Sequence, residues 1–171
     1  MRLGDRGRDL VEEVYRSHGD LVLRRAQQIL GDEGEAREAL QEVFMSLVKS
    51  PTQLEGKRSL SAWLYAATTH HCLNVVRNRR TRTRIVDQHL LPTQPQSCAP
   101  DAEARASVRQ ALGRLPDELA QAAVYYYLDE MTHEEIGKLL GYSRRHVGNL
   151  LRAVQALLRA PASAEAGKEQ P

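Results

Sequence analysis

Cysteine is nearly absent: Cys72 and Cys98 are the only two in 171 residues. A disulfide framework is thereby excluded as the source of stability. No apolar run approaches the roughly 20 residues that a membrane span needs. The N-terminal stretch MRLGDRGRDL is charged and lacks the apolar centre of a secretory signal. The chain is therefore expected in the cytoplasm, without insertion into a membrane. Alternating β-branched runs are scarce, which argues against sheet. Paired carboxylates, a nucleophile motif and a phosphate-cradling loop are missing, so no catalytic residue can be named. A surplus of one charge is missing too, since 24 Lys and Arg against 22 Asp and Glu leave only +2. What remains reads as an all-α chain whose 42% hydrophobic content suffices for a folded core. Its length allows one domain or two small ones.

The small net charge hides local segregation. The segment THEEIGKLLGYSRRHVGNLLRAVQALL, Thr132 to Leu158, predicts two short helices joined by a tight turn. Thr132 and Glu135 have the spacing of a capping box. Ile136, Leu139 and Leu140 give the first helix one apolar face. Gly141 stops it, because glycine tolerates the left-handed conformation of a C-terminal cap. Ser143 caps the second helix, and Val147, Leu150, Leu151, Val154, Leu157 and Leu158 continue an apolar face at helical spacing. Arg144, Arg145, His146, Gly148, Asn149 and Arg152 are left on the other side. Residues 141–160 carry four arginines and no acid, whereas residues 101–140 carry eight acids against four bases. That pattern is a helix-turn-helix whose second helix suits the DNA major groove.

Upstream, Asp9 to Ser17 predicts a helix, His18-Gly19-Asp20 a turn, and Leu21 to Leu30 a second helix. Gly31 to Gly34 reads as a loop. Glu35 to Lys49 predicts a third helix with Ala36, Ala39, Leu40, Val43, Phe44, Leu47 and Val48 on one face. Pro51 and Gly56 mark a loop. Ser59 or Ser61 then starts a long helix that runs into RNRRTRTR. HLLPTQPQSCAP, with three prolines and no helical stripe, reads as a flexible linker. Asp101 restarts a helix, and Pro116 suits the first turn of the next, which contains Ala123, Val124 and Tyr127. The tail PASAEAGKEQP is small and polar, and disorder is expected. The sequence thus predicts a helical domain over residues 1–86, a linker over 87–102, a second helical domain over 103–160 and a tail over 161–171.

Two further surfaces carry charge. Arg77, Arg79, Arg80, Arg82 and Arg84 lie within eight residues without an acid. A helix C-terminus favours cations, but five arginines exceed what a cap needs. Arginine forks match phosphate geometry, and such contacts set position rather than sequence. Trp63, the only tryptophan, suits core packing; aromatic groups beside a basic helix also accept unstacked bases. His70, His71 and Cys72 suggest zinc, yet adjacent residues diverge by about 100° around a helix and cannot easily share one metal. No metal and no cofactor are expected. Residues 31–50 net −3, and Glu38, Gln41 and Glu42 form a polar ridge, either a solvated face or a dock for a basic partner.

Taken in order, these segments resemble the extracytoplasmic-function (ECF) group of bacterial RNA polymerase sigma factors. GEAREALQEVFMSLVKSP is similar to the family's core-binding helix. LSAWLYAATTHHCLNVVRNRRTR is similar to its promoter-melting segment, and LPDELAQAAVYYYLDEMTHEEIGKLLGYSRRHVGNLL to its C-terminal module. The resemblance covers roughly residues 9–86 and 103–159. It implies that Glu38, Gln41 and Glu42 contact the coiled coil of the largest core polymerase subunit, and that the C-terminal module meets the beta flap. It implies that Lys57, Arg58, Trp63, His70, Asn74, Arg77, Arg79 and Arg80 hold the minus-ten element, the Gln53 to Ser59 loop helping to capture a flipped base. Ser143, Arg144, Arg145, His146, Asn149 and Arg152 would face the minus-thirty-five element, and the linker would thread the polymerase channels. Promoter DNA, core polymerase and an anti-sigma factor are the partners implied, and the nucleoid the place. The chain departs from the family at His70 (usually Asn), Asn74 (usually Asp), His146 (commonly Thr) and Leu150 (commonly Arg). These departures fall mostly where promoter preference is set, so an unusual promoter is expected. Gly137 stands where Ala is usual and should slightly weaken its helix.

Two other classes fit parts of the chain. A stand-alone helix-turn-helix repressor accounts for residues 132–158 but leaves the arginine cluster and the Gln41-Glu42 helix without a role. A small metal-dependent hydrolase would have to rest on His70, His71 and Cys72.

Overall fold

The computed structural model describes residues 3–49, 59–87 and 100–159, and the regular elements among them are helical. The expected loop between Pro51 and Arg58, most of the linker and the tail lie outside those residues. Contacts divide the chain into two units, Met1–Gln110 and Ala111–Pro171. The division falls inside a helix, α4 (Pro100–Leu112), whereas the sequence pattern puts the start of the second domain at residue 103.

In the first unit, α1 (Leu3–Leu30) packs against both α2 (Glu33–Lys49) and α3 (Leu60–Asp87). The expected break at His18-Gly19-Asp20 does not occur: α1 is one helix of 28 residues. The buried residues explain why. Val11, Val14, Val22, Ala26 and Ile29 lie at helical spacing across the glycine, so one uninterrupted stripe faces the core. Burial of that stripe outweighs the roughly 1 kcal/mol that a mid-helix glycine costs. A Cβ placed on Gly19 would meet only the Tyr15 ring, at 4.0 Å. Gly19→Ala is therefore expected to raise the unfolding free energy by about 0.5–1 kcal/mol. Denaturant unfolding checks this, and a loss of stability would show that the position requires glycine.

The loop after α1 is also shorter than the pattern suggests. Gly31 takes the left-handed conformation at φ 71. Asp32 then caps α2, accepting the Glu35 N–H at 2.8 Å, so Glu33 and Gly34 already belong to the helix. Glu33 and Glu35 place negative charge against the helix N-terminus. The core unites Val11, Val14, Val22, Val43, Phe44, Leu47 and Leu64, with Leu40, Leu60 and Trp63 packed against it. Val48 departs from the expected face and is 44% exposed. Ser59 starts α3, its Oγ accepting the Ala62 N–H at 3.2 Å.

A buried cation ties α1 to α3. Arg25 is 2% exposed. Its Nε donates to Thr69 Oγ1 at 3.1 Å, and its Nη1 donates to Gln28 Oε1 at 3.0 Å. The guanidinium lies 4.2 Å from the centre of the Tyr65 ring. The Thr69 hydroxyl in turn donates a hydrogen bond to the Tyr65 carbonyl at 2.8 Å. The charge is thus enclosed with hydrogen bonds to Thr69 and Gln28 and one face on an aromatic ring, the kind of partnering that burial of an ion demands.

In the second unit, Pro116 stands at the N-cap of α5 (Asp117–Ala123), one position ahead of the first turn, and its carbonyl accepts the Ala120 N–H at 2.9 Å. α5 continues as a π-helical turn over Val124–Leu128, marked by Asp129 N–H donating to the Val124 carbonyl at 3.2 Å. Tyr125 is fully enclosed, three residues after the buried Ala122, while Tyr127 is 53% exposed. α6 (His133–Leu140) and α7 (Arg144–Arg159) complete the unit, α7 packing on α5 and α6. Burial along α7 stops at Val154; Leu157 and Leu158 are 50% and 52% exposed.

Candidate nucleic-acid interface

The helix-turn-helix is fixed by local bonds that the sequence announces. Thr132 N–H donates to Glu135 Oε2 at 2.8 Å, and Glu135 N–H donates to Thr132 Oγ1 at 3.3 Å. The Thr132 N–H first, and then the Thr132 hydroxyl, which donates to the same Oε2 at 2.7 Å, hold the Glu135 carboxyl below its ordinary value. Gly141 ends α6 at φ 76, and Tyr142 N–H donates to the Gly137 carbonyl at 2.8 Å, the closure of a Schellman motif. Ser143 Oγ then accepts the His146 N–H at 3.2 Å to start α7.

Gly137 needs a correction. It is not a weakened alanine position, because a Cβ there would sit 2.6 Å from the Tyr142 carbonyl oxygen. The turn passes so close to α6 that a side chain would have to displace backbone.

Val147, Leu150, Leu151 and Val154 point α7 into its unit. Arg144, Arg145, His146, Asn149 and Arg152 are all exposed, as is Ser143, and Gly148 is half-buried among them. Arg152 donates through Nη2 to Asn149 Oδ1 and through Nε to the Gly148 carbonyl, so the far end of this face is already ordered. Glu134, on α6, is bridged to Lys138 at 2.7 Å. Its carboxyl is held below the ordinary value chiefly by the hydrogen bond from Lys138, with Arg144 adding a smaller pull.

In the first unit α3 sorts its polar residues by angle. At about 100° per residue, Trp63, His70, Asn74 and Arg77 fall on one stripe. His70 is exposed, and Asn74 and Arg77 are half-buried, with Arg77 Nη1 donating to Asn74 Oδ1 at 3.2 Å. Trp63 packs partly against the core. Arg80 is half-buried to one side. Arg79 does not join the stripe; it turns toward α2 and pairs with Glu35 at 3.6 Å. Lys57 and Arg58 lie outside the described residues.

On α2, Glu38, Gln41 and Glu42 are exposed side by side. Gln41 also lines an open groove of about 500 Å³, together with Tyr15, Leu40, Phe44, Met45 and Val48 among others. Tyr15 and Met45 were not singled out by the sequence pattern; Tyr15 stands edge-on to Phe44 with ring centres 4.9 Å apart. The His70-His71-Cys72 run makes no ligand set. Among the described residues no three His, Cys, Asp or Glu side chains cluster as a metal would require. His71 is half-buried and its pKa is lowered by that burial, against an opposing pull from Glu42. Cys72 is enclosed, and burial pushes its thiol up to about 12. The thiolate that oxidants attack is therefore scarce at neutral pH.

An all-helical chain with a capped helix-turn-helix and an acid-free arginine face is a DNA-binding protein of the two-module kind. Two family models match it: Sigma-70 region 2 over residues 14–82 and Sigma-70, region 4 over residues 111–160. The chain belongs to the sigma-70 family of transcription initiation factors, in its ECF group. It is 31% identical over 137 residues to the ECF RNA polymerase sigma factor SigE of Mycolicibacterium smegmatis, covering 76% of this chain and 52% of that one. The chain thus spans about half the length of that relative. Against the ECF RNA polymerase sigma factor SigW of Bacillus subtilis it is 22% identical, covering 77% and 78%. Its fold is similar to CnrH, solved with the cytosolic domain of CnrY, at TM-score 0.50 and 16% identity over 91% of this chain and 92% of that one. It is equally similar, at TM-score 0.50 and 14% identity, to the sigma factor RpoE of Bartonella quintana, solved with the anti-sigma factor NepR, over 86% and 92%.

Proposed function

We propose that this sigma factor is a promoter-specificity subunit that binds core RNA polymerase and directs initiation through minus-ten and minus-thirty-five elements. In this reading residues 1–86 bind core enzyme and the minus-ten element, residues 87–102 thread the polymerase, and residues 103–160 read the minus-thirty-five element. It has no catalytic step of its own and acts in the cytoplasm on the nucleoid. The observation that carries it is the exposed face of α7, where Arg144, Arg145, His146, Asn149 and Arg152 stand together without an acid. The stripe of His70, Asn74 and Arg77 on α3 supplies the minus-ten contacts, with Trp63 steadied by the core beneath it. Lys57, Arg58, Arg79 and Arg80 serve as phosphate contacts, Arg79 on release from Glu35.

The α2 ridge of Glu38, Gln41 and Glu42 is the core-binding surface, where a basic coiled coil of the largest subunit would dock. An anti-sigma factor, as solved with RpoE, would compete for such surfaces. A repressor acting alone would leave this ridge unused. Run-off transcription with core polymerase on a pooled promoter library tests the whole reading: start-site selection is expected, and its absence removes it. Gln41→Ala with Glu42→Ala is expected to weaken core affinity about tenfold, the range of one good interface contact, and to leave helicity unchanged. Retained affinity in a titration would take α2 out of the interface.

A further inference from the structure

The turn of the helix-turn-helix carries a side chain that the roles above do not use. Tyr142 lies between α6 and α7. Its hydroxyl donates to Glu118 Oε1 at 2.9 Å, a bond to a residue 24 positions earlier on α5. Its ring meets the imidazole of His146 edge to face, with centres 4.7 Å apart and planes at 74°. His146 is exposed on the proposed DNA face, and its own backbone is pinned by the N–H bond to Ser143 at 3.2 Å. The ring of an exposed histidine is ordinarily free to turn about two bonds, and ordering it on binding costs affinity. Here one side is already occupied.

We infer that Tyr142 is a positioning residue: anchored by Glu118, it sets the direction of the His146 ring and thereby the base that His146 reads. This rests on the reading of α7 as the recognition helix. The backbone of Tyr142 is itself clamped to Gly137, which accepts its N–H at 2.8 Å. The chain of contacts runs from an α5 carboxylate through a phenol to an imidazole on the first turn of α7. The hydrogen bond to Glu118 raises the Tyr142 pKa, followed by desolvation, so the phenol remains a donor at neutral pH. An imidazole N–H held in one direction donates to one acceptor on a base edge, and a purine N7 in the major groove fits it.

The test uses the full chain with core polymerase and a library randomised across the minus-thirty-five element, read by sequencing of transcripts. Tyr142→Ala is expected to flatten the preference at one base pair by roughly tenfold, the discrimination of a lost base contact. Tyr142→Phe, which keeps the ring and loses the anchor, should flatten it by a few-fold, and Glu118→Ala should match it. Glu118→Gln retains an acceptor and should restore the original profile. In a His146→Ala background, Tyr142→Ala should add nothing. A uniform loss over all promoters with an unchanged base profile, or an undiminished effect of Tyr142→Ala without His146, would overturn the inference and leave Tyr142 a packing residue. Arg144→Ala and Arg145→Ala run in parallel. If they too leave selection unchanged, the recognition-helix reading itself has failed; if they alter it while Tyr142 does not couple to His146, only the positioning role has.

Discussion

Gly137→Val is expected to disrupt the helix-turn-helix, and Gly137→Ala to weaken it, although both replace a poor helix former with a better one. Helix propensity alone favours alanine by about 1 kcal/mol at an interior position. Against this stands a Cβ 2.6 Å from the Tyr142 carbonyl oxygen, with the carbonyl carbon at 3.6 Å and the Arg144 nitrogen at 3.7 Å. All three are backbone atoms, so no side chain can swing aside. The turn cannot retreat cheaply, because the Tyr142 N–H is bonded to the Gly137 carbonyl at 2.8 Å and Gly141 is committed to φ 76. Overpacking of this kind costs about 1–3 kcal/mol, which exceeds the propensity gain. Gly137→Ala should therefore lose about 1 kcal/mol net, and Gly137→Val, with two more methyls at the same contact, about 3 kcal/mol or more. Because the displaced atoms lead directly into α7, minus-thirty-five recognition should fall with stability. Denaturant unfolding with far-UV dichroism measures the first effect and promoter binding the second. An alanine variant at least as stable as the parent would show that the turn yields.

The same position shows where the sequence stops being legible. Capping residues act on neighbours three or four places away, so Thr132, Glu135, Gly141 and Ser143 could be assigned from spacing, and each is where the pattern puts it. The buried face of α2 follows from periodicity for the same reason, except at Val48, which is exposed. The constraint on Gly137 is not legible in its neighbours, because it comes from a backbone segment that folds back over it. At Gly19 the local preference for a turn is real, but the stripes on either side are in phase and tertiary burial decides. The π turn over Val124–Leu128 inserts an extra residue into the helix, which no 3.6-residue template anticipates. Burial of Arg25 depends on Thr69, 44 residues away, which local spacing does not reveal. The candidate site divided likewise. The α7 face was visible as charge against apolar periodicity, whereas the turn of Arg79 toward Glu35 depends on how α2 lies beside α3.

Replacing Arg144 and Arg145 by alanine should have the largest effect on function. They occupy the first two positions of α7, the end of a recognition helix that enters the groove. Both are exposed, and among the described residues no ion pair holds either guanidinium. Each is thus available to a bidentate contact with guanine O6 and N7 or to a phosphate, and the two roles separate experimentally. Loss of a base contact costs about 1–3 kcal/mol and relaxes preference at one position. Loss of a phosphate contact weakens all promoters alike and lowers the slope of log affinity against log salt by about 0.9. Each single variant should therefore lower promoter affinity by roughly 5- to 150-fold, and at least one should change base preference. The helix N-terminus adds its own attraction for phosphate, so the double variant should retain weak binding that is still salt-sensitive. A salt titration of holoenzyme on one promoter, combined with selection from a randomised library, reads both quantities. If both single variants select the same promoters as the parent with the same salt slope, α7 does not face the DNA. The arginine face would then need another anionic partner to explain why it carries no acid.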